Sequence, residues 1–232
     1  MTLSAKKKCW GVSIALSLCL AVIVWSLHST QNAHPQKNIR VSGSKPIDAT
    51  VKVWANYWVH GESCESYSYD MFGRKAHQGG KITTFFTPND IESNELYEFE
   101  VPYSTYTNSK NCVVELRDIK VEAYNAFDTV GFAQLRIYQA GNNYNNKPID
   151  LGSKIEARDC NTFIHQWKDK TTSGGLGCNF YVDNKKSTTA TEFNAYTVHF
   201  DFSQFNEDTV IHYDILAGDN YRSTPLDSQT GK

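Results

Sequence analysis

Apolar residues recur at every second position in several segments of this chain, and that spacing restricts the fold more than any other feature. Between Ala49 and Val59, residues Val51, Val53, Ala55, Tyr57 and Val59 fall on one side, and Lys52, Trp54, Asn56 and Trp58 on the other. Period two is the signature of a strand, whose side chains alternate between faces. The same reading predicts strands over Lys81–Thr87, Leu96–Tyr103, Cys112–Tyr124, Phe132–Gln139, Gly177–Asp183, Glu192–Phe202 and Thr209–Leu216. Within Cys112–Tyr124 the phase slips, since Val114 and Leu116 are even while Ile119, Val121 and Ala123 are odd. One extra residue near Arg117-Asp118 restores the face, so a β-bulge is predicted there. Turn clusters are read at Gly141–Pro148 and Thr171–Gly177, and Asn161–Lys168 fits a helical turn as well as a strand. The sum is an all-β domain, expected to be an antiparallel β-sandwich of about eight strands.

The N-terminus predicts where that domain works. Lys6, Lys7 and Lys8 precede Cys9–Leu27, a run with no charged residue. Nineteen residues make a helix about 28 Å long, close to the hydrocarbon thickness of a bilayer. Trp10 and Trp25 sit near its ends, and the lysines favour a cytoplasmic N-terminus. The expected organisation is 1–8 cytoplasmic, 9–27 a transmembrane anchor or signal peptide, 28–46 a polar linker, 47–217 the exported β domain and 218–232 a flexible tail. A cleaved signal peptide is the alternative, with its best cut after Val24-Trp25-Ser26. A lipoprotein is disfavoured because Leu16-Ser17-Leu18 before Cys19 lacks the small residues needed.

Export bears on the cysteines. Cys64, Cys112, Cys160 and Cys178 are an even set in an oxidising compartment, which predicts two disulfides. Pairing neighbours in sequence gives Cys64–Cys112 and Cys160–Cys178. Structural zinc is the rival, but no Cys-x-x-Cys spacing exists. Beyond the anchor, 20 basic residues face 25 acidic ones, a net charge of about −5. That argues against a nucleic-acid partner. The chain has 18 Asn and 38 Ser or Thr but no Asn-x-Ser/Thr, where about three acceptor sites would arise by chance. This tilts the expected compartment to a bacterial inner membrane facing the periplasm, or the periplasm itself if the segment is cleaved.

Few residues suggest chemistry. Val198–Phe202 and Ile211–Ile215 each carry His-x-Asp: His199 with Asp201, and His212 with Asp214. If Gln204–Glu207 closed a hairpin, His199 would oppose His212, and the four residues would form a candidate metal or pH-sensitive cluster. The plainer reading is a solvated polar face. His60-Gly61-Glu62-Ser63-Cys64-Glu65 fails the nucleophile elbow, because Glu65 stands where its second Gly belongs. Ser173–Gly177 lacks the Gly-Lys-Ser/Thr ending of a phosphate loop, and Glu98 and Glu100 read as a wet strand face. No catalytic residue and no cofactor are therefore expected.

Binding is the better prospect. Trp54, Asn56 and Trp58 share one strand face, and Tyr67 and Tyr69 add aromatic surface nearby. Such a face anchors a protein interface, stacks on a sugar ring, or is covered as a second core. The expected function is an exported, non-enzymatic protein-interaction module, such as an inhibitor or immunity protein against a secreted or periplasmic enzyme. A carbohydrate-binding or envelope-associated module is the main rival, and a metal-dependent protein using His199 and His212 the third.

Overall fold

The alternation is realised as fourteen strands among the described residues of a computed structural model. These residues are 36–61, 63–64, 66–69, 71–78, 80–91, 93–141, 146–166, 168 and 172–227. In chain order the strands are β1 (Asn38–Ser44), β2 (Thr50–His60), β3 (Ser66–Tyr69), β4 (Lys75–Gln78), β5 (Gly80–Phe86), β6 (Leu96–Pro102) and β7 (Tyr106–Thr107). They continue with β8 (Val113–Tyr124), β9 (Phe132–Gln139), β10 (Lys154–Gln166), β11 (Thr172–Val182), β12 (Lys185–Lys186), β13 (Tyr196–Phe200) and β14 (Val210–Leu216). No α-helix occurs among the described residues, and none of their helices is long and apolar enough to cross a membrane. The predicted segment 9–27 lies outside them.

Two sheets share one core. The first runs β12-β11-β10-β14-β1-β6, and the second β13-β9-β8-β2-β5, with β7 beside β8. Strands β3 and β4 form a separate hairpin. The inward residues are the apolar half of each alternation: Ile39 and Val41, Phe99 and Val101, Ile211, Tyr213 and Ile215 from the first sheet. Val53 and Ala55, Ile119 and Val121, and Leu135 and Ile137 meet them from the second. Burying each large side chain stabilises the fold by roughly 1.5–3 kcal/mol. The sheets are also fastened by hydrogen bonds: Tyr213 Oη donates to the Ala133 carbonyl at 2.5 Å, and Tyr57 Oη to that of Pro102 at 3.0 Å. Both disulfides form with the pairing read from the sequence, Cys64–Cys112 and Cys160–Cys178. The bulge also lies where the phase slipped: Asn56 opposes Asp118 while Tyr57 opposes Leu116, leaving Arg117 as the extra residue of β8.

Several expectations are corrected. The sheets are mixed, since β1–β14, β10–β14 and β9–β13 are parallel pairs. The region read as linker contains β1, which lies inside the first sheet between β14 and β6. Only Ile39 and Val41 are apolar there, too short a stripe for a period to register. The hairpin placing His199 opposite His212 does not form, because β13 belongs to the second sheet and β14 to the first. A 3₁₀ turn, Phe202–Gln204, carries the chain between them. Asp201 caps that turn, and Phe205 inserts into the core against Phe202, ring centroids 4.7 Å apart. An apolar residue in the supposed loop is what breaks the hairpin register.

The glycine-rich run after residue 171 is not a turn but the start of β11, paired with Asn161–Gln166 of β10. Its glycines make room for rings: a Cβ at Gly174 would overlap the buried Phe127 ring, and one at Gly177 would lie 2.6 Å from Phe193. The C-terminal stretch, expected to be flexible, is docked as far as Leu226, and residues 228–232 lie outside the described residues. Tyr221 packs on Phe132 at 5.8 Å and accepts a hydrogen bond from Asn125 Nδ2 at 2.8 Å, while Leu226 packs against the core.

Candidate functional site

Three adjacent strands of the second sheet, β5, β2 and β8, turn a three-by-three grid of side chains outward. Register fixes it: Phe85, Trp54 and Lys120 form one row, Thr83, Asn56 and Asp118 the middle row, and Lys81, Trp58 and Glu115 the third. The bulge adds Arg117, because both Arg117 and Asp118 fall between inward-facing Leu116 and Ile119.

The middle row is a buried polar strut. Asn56 is 2% exposed and Asp118 1%. Asn56 Nδ2 donates to Asp118 Oδ1 at 2.6 Å, and Thr83 Oγ1 donates to Asn56 Oδ1 at 2.7 Å. Arg117 Nε lies 3.5 Å from Asp118 Oδ2, which has no hydrogen-bond partner. The Asn56 amide thus ties β2 to both neighbouring strands between the two indoles, and a hydrogen-bonded network of this kind rigidifies its surroundings.

The outer rows are aromatic and cationic. The Arg117 guanidinium sits 4.5 Å above the Trp58 ring, and Lys120 Nζ 5.8 Å from the Trp54 centroid. Phe85 leans against Trp54 at 5.7 Å and is itself 70% exposed; Trp58 is 37% exposed. The middle row is thus buried, while Phe85 and Trp58 in the outer rows are exposed. Sequence reasoning named Trp54, Asn56 and Trp58 but missed Phe85, Thr83, Lys81, Arg117 and Lys120. Their signal was present, in the alternation of 81–87 and in the bulge, and it needed the strand order to bring them together.

Other named residues lie elsewhere. Tyr67 lies on β3 opposite His77, and Tyr69 opposite Lys75, with Tyr69 exposed. Glu62, Glu65 and Asn142–Asn145 fall outside the described residues. Cys64 is in a disulfide, and Ser63 Oγ donates to the Lys110 carbonyl at 3.1 Å.

The four His/Asp residues are split between opposite outer faces. On the second sheet His199 stacks near Tyr138, its Nε2 is 3.0 Å from Asn146 Nδ2, and burial holds its pKa below the usual imidazole value. Asp201 caps the 3₁₀ turn, and hydrogen bonds from Ser203 and Gln204 hold its carboxyl below the ordinary range. On the first sheet His212 is exposed, while Asp214 accepts from Lys154 Nζ at 2.7 Å, Ser44 N at 2.7 Å and Ser44 Oγ at 2.9 Å. Burial raises the Asp214 pKa, but those bonds outweigh it and leave the carboxyl below its usual value. Among the described residues no three His, Cys, Asp or Glu side chains gather into a metal-holding group.

The first sheet's outer face is ionic instead. Lys154 pairs with Asp214 and Glu156, Arg158 with Glu156, and Arg40 with Glu98. Carboxylates and cations there satisfy one another, whereas the second sheet turns aromatic rings outward. No family model, no curated protein and no solved structure matches this chain.

Proposed function

We propose that this chain is an exported, non-enzymatic protein-binding module that engages its partner through the outer face of β5, β2 and β8. The observation that carries the reading is the cluster of Trp54, Trp58 and exposed Phe85 with Arg117 and Lys120 over the indoles. Trp and Arg dominate the energetics of protein interfaces, and a rigid aromatic set held by buried polar bonds loses little entropy on binding. The partner surface that fits is apolar at its centre, opposite Phe85, with carboxylates at the rim facing Lys81, Arg117 and Lys120.

An inhibitor or immunity role against a secreted or periplasmic enzyme is the concrete form proposed. It accords with the apolar segment 9–27, the four cysteines joined in two disulfides and the lack of a catalytic motif in the sequence. Sugar stacking is the weaker reading. It needs open ring faces, and Arg117 occupies one face of Trp58.

The test is affinity capture from bacterial envelope extract with wild type and with Trp58→Ala/Phe85→Ala, both verified as folded by thermal melting. One protein retained by wild type and lost by the double variant supports the reading. Retention of that protein by the double variant would overturn it. Binding of wild type to purified glycans that Trp58→Ala abolishes would move the assignment to carbohydrate.

A further inference from the structure

Sheet edges expose unpaired backbone groups, and folded chains ordinarily blunt them. Among the described residues, three of the four edges of the two large sheets are blunted. Along β6, Asn89 N donates to the Glu98 carbonyl at 2.8 Å, and the strand carries Glu98, Glu100 and Pro102. The far edge of β11 is taken by β12, by Ser187 N donating to the Phe180 carbonyl at 2.8 Å, and by Cys178 and Glu192 exchanging two bonds of 2.9 Å. Beside β13, Ile149 N donates to the His199 carbonyl at 2.9 Å.

Strand β5 is the exception. Among the described residues, the backbone of Lys81–Phe86 has no hydrogen-bond partner other than β2. Its register against β2 runs without a bulge, it contains no proline, and its single charge is Lys81 at one end. Ile82 and Phe85 are exposed on its two faces.

We propose that β5 pairs antiparallel with β5 of a second copy of this chain, about a two-fold axis through Thr83. Two-fold pairing requires that the strand complement itself. With Thr83 opposite Thr83 of the second copy, Lys81 lies opposite its Phe85, and Ile82 opposite its Thr84. A hydroxyl pair, two β-branched pairs and two cation–aromatic pairs result, all favourable across strands. The cation–aromatic pairs repeat what Lys120 and Arg117 already do on the same face. Two copies so joined would continue the aromatic grid across both chains. The inference is independent of what that grid binds. Five paired residues bury less than a standard interface, so the dimer is weak and covalent trapping is the suitable readout.

The experiment uses the full chain in native membranes or detergent, with Cys9 and Cys19 replaced by serine, under mild oxidation. Thr83→Cys is expected to give about tenfold more disulfide dimer than Thr84→Cys, whose sulfurs lie beyond bridging distance in this register. Because Thr83 also bonds Asn56, a second arm leaves it intact: chains carrying Lys81→Cys and Phe85→Cys are coexpressed, and should cross-link to each other but not to themselves. Equal trapping at 83 and 84, or no mixed dimer from 81 and 85, overturns the proposal. A cross-link from Thr83→Cys only to a different protein would reassign the edge to a foreign strand and equally overturn it.

Discussion

At the scale of single residues, the outer face depends on Asn56. Replacing it with alanine leaves the buried Asp118 carboxylate without its closest donor. The expected loss of stability is about 1–3 kcal/mol, read from urea midpoints. Thr83→Val removes one bond to the same amide and should cost about 1 kcal/mol. Asp214 supplies a pH dependence. Its folded pKa lies below the unfolded value, so its contribution is complete above the usual carboxylate range and is lost as pH falls from that range down through the lower folded pKa. The urea midpoint of Asp214→Asn should therefore fall less than that of wild type between about pH 6 and about pH 3. None of these partners was readable from local sequence. Asn56 was legible as an outward amide between indoles, but Asp118 is 62 positions away and reaches it through strand pairing. Asp201 and Asp214 looked equivalent in their His-x-Asp motifs, yet one caps a turn and the other bonds Lys154 and Ser44.

At the scale of elements, glycine placement gives a graded test. Gly43 of β1 has the Tyr213 carbonyl where a Cβ would go, so Gly43→Ala should prevent β1 from docking and leave the domain unfolded by circular dichroism. Gly174→Ala presses on Phe127, which is buried and cannot swing away, and should cost about 1–3 kcal/mol in chemical denaturation. Gly177→Ala meets Phe193, whose ring is half exposed and held only edge-on against Phe163, and should cost less than Gly174→Ala. Strands with a full alternating stripe, such as β2, β6 and β9, were legible because each buries several apolar residues on one side. The bulge in β8 was legible for the same reason. Strands β1, β10 and the first half of β11 were obscured. Strand β1 has only two inward apolar residues, Ile39 and Val41, β10 only Ile155 and Ala157 before its register shift, and the glycines of β11 leave their space to Phe127 and Phe193.

At the scale of the molecule, β1 decides where the domain begins. It bonds β14 on one side and β6 on the other, joining β6 to the rest of the first sheet. A chain beginning at Lys37 should melt cooperatively, whereas one beginning at Ile47 should not, as judged by calorimetry. The mixed topology was the least legible property, because alternation gives the face of a strand but not its neighbours. The aromatic grid is a property of this scale, assembled from three strands. Its role is tested most directly by photo-cross-linking in intact cells, with a photoreactive phenylalanine analogue at Phe85 or at Leu216. Both sites are exposed, on the outer faces of opposite sheets. Binding through the β5-β2-β8 face gives an adduct with a different protein from position 85 and none from 216. The same adduct from both positions, or none from position 85, would contradict it.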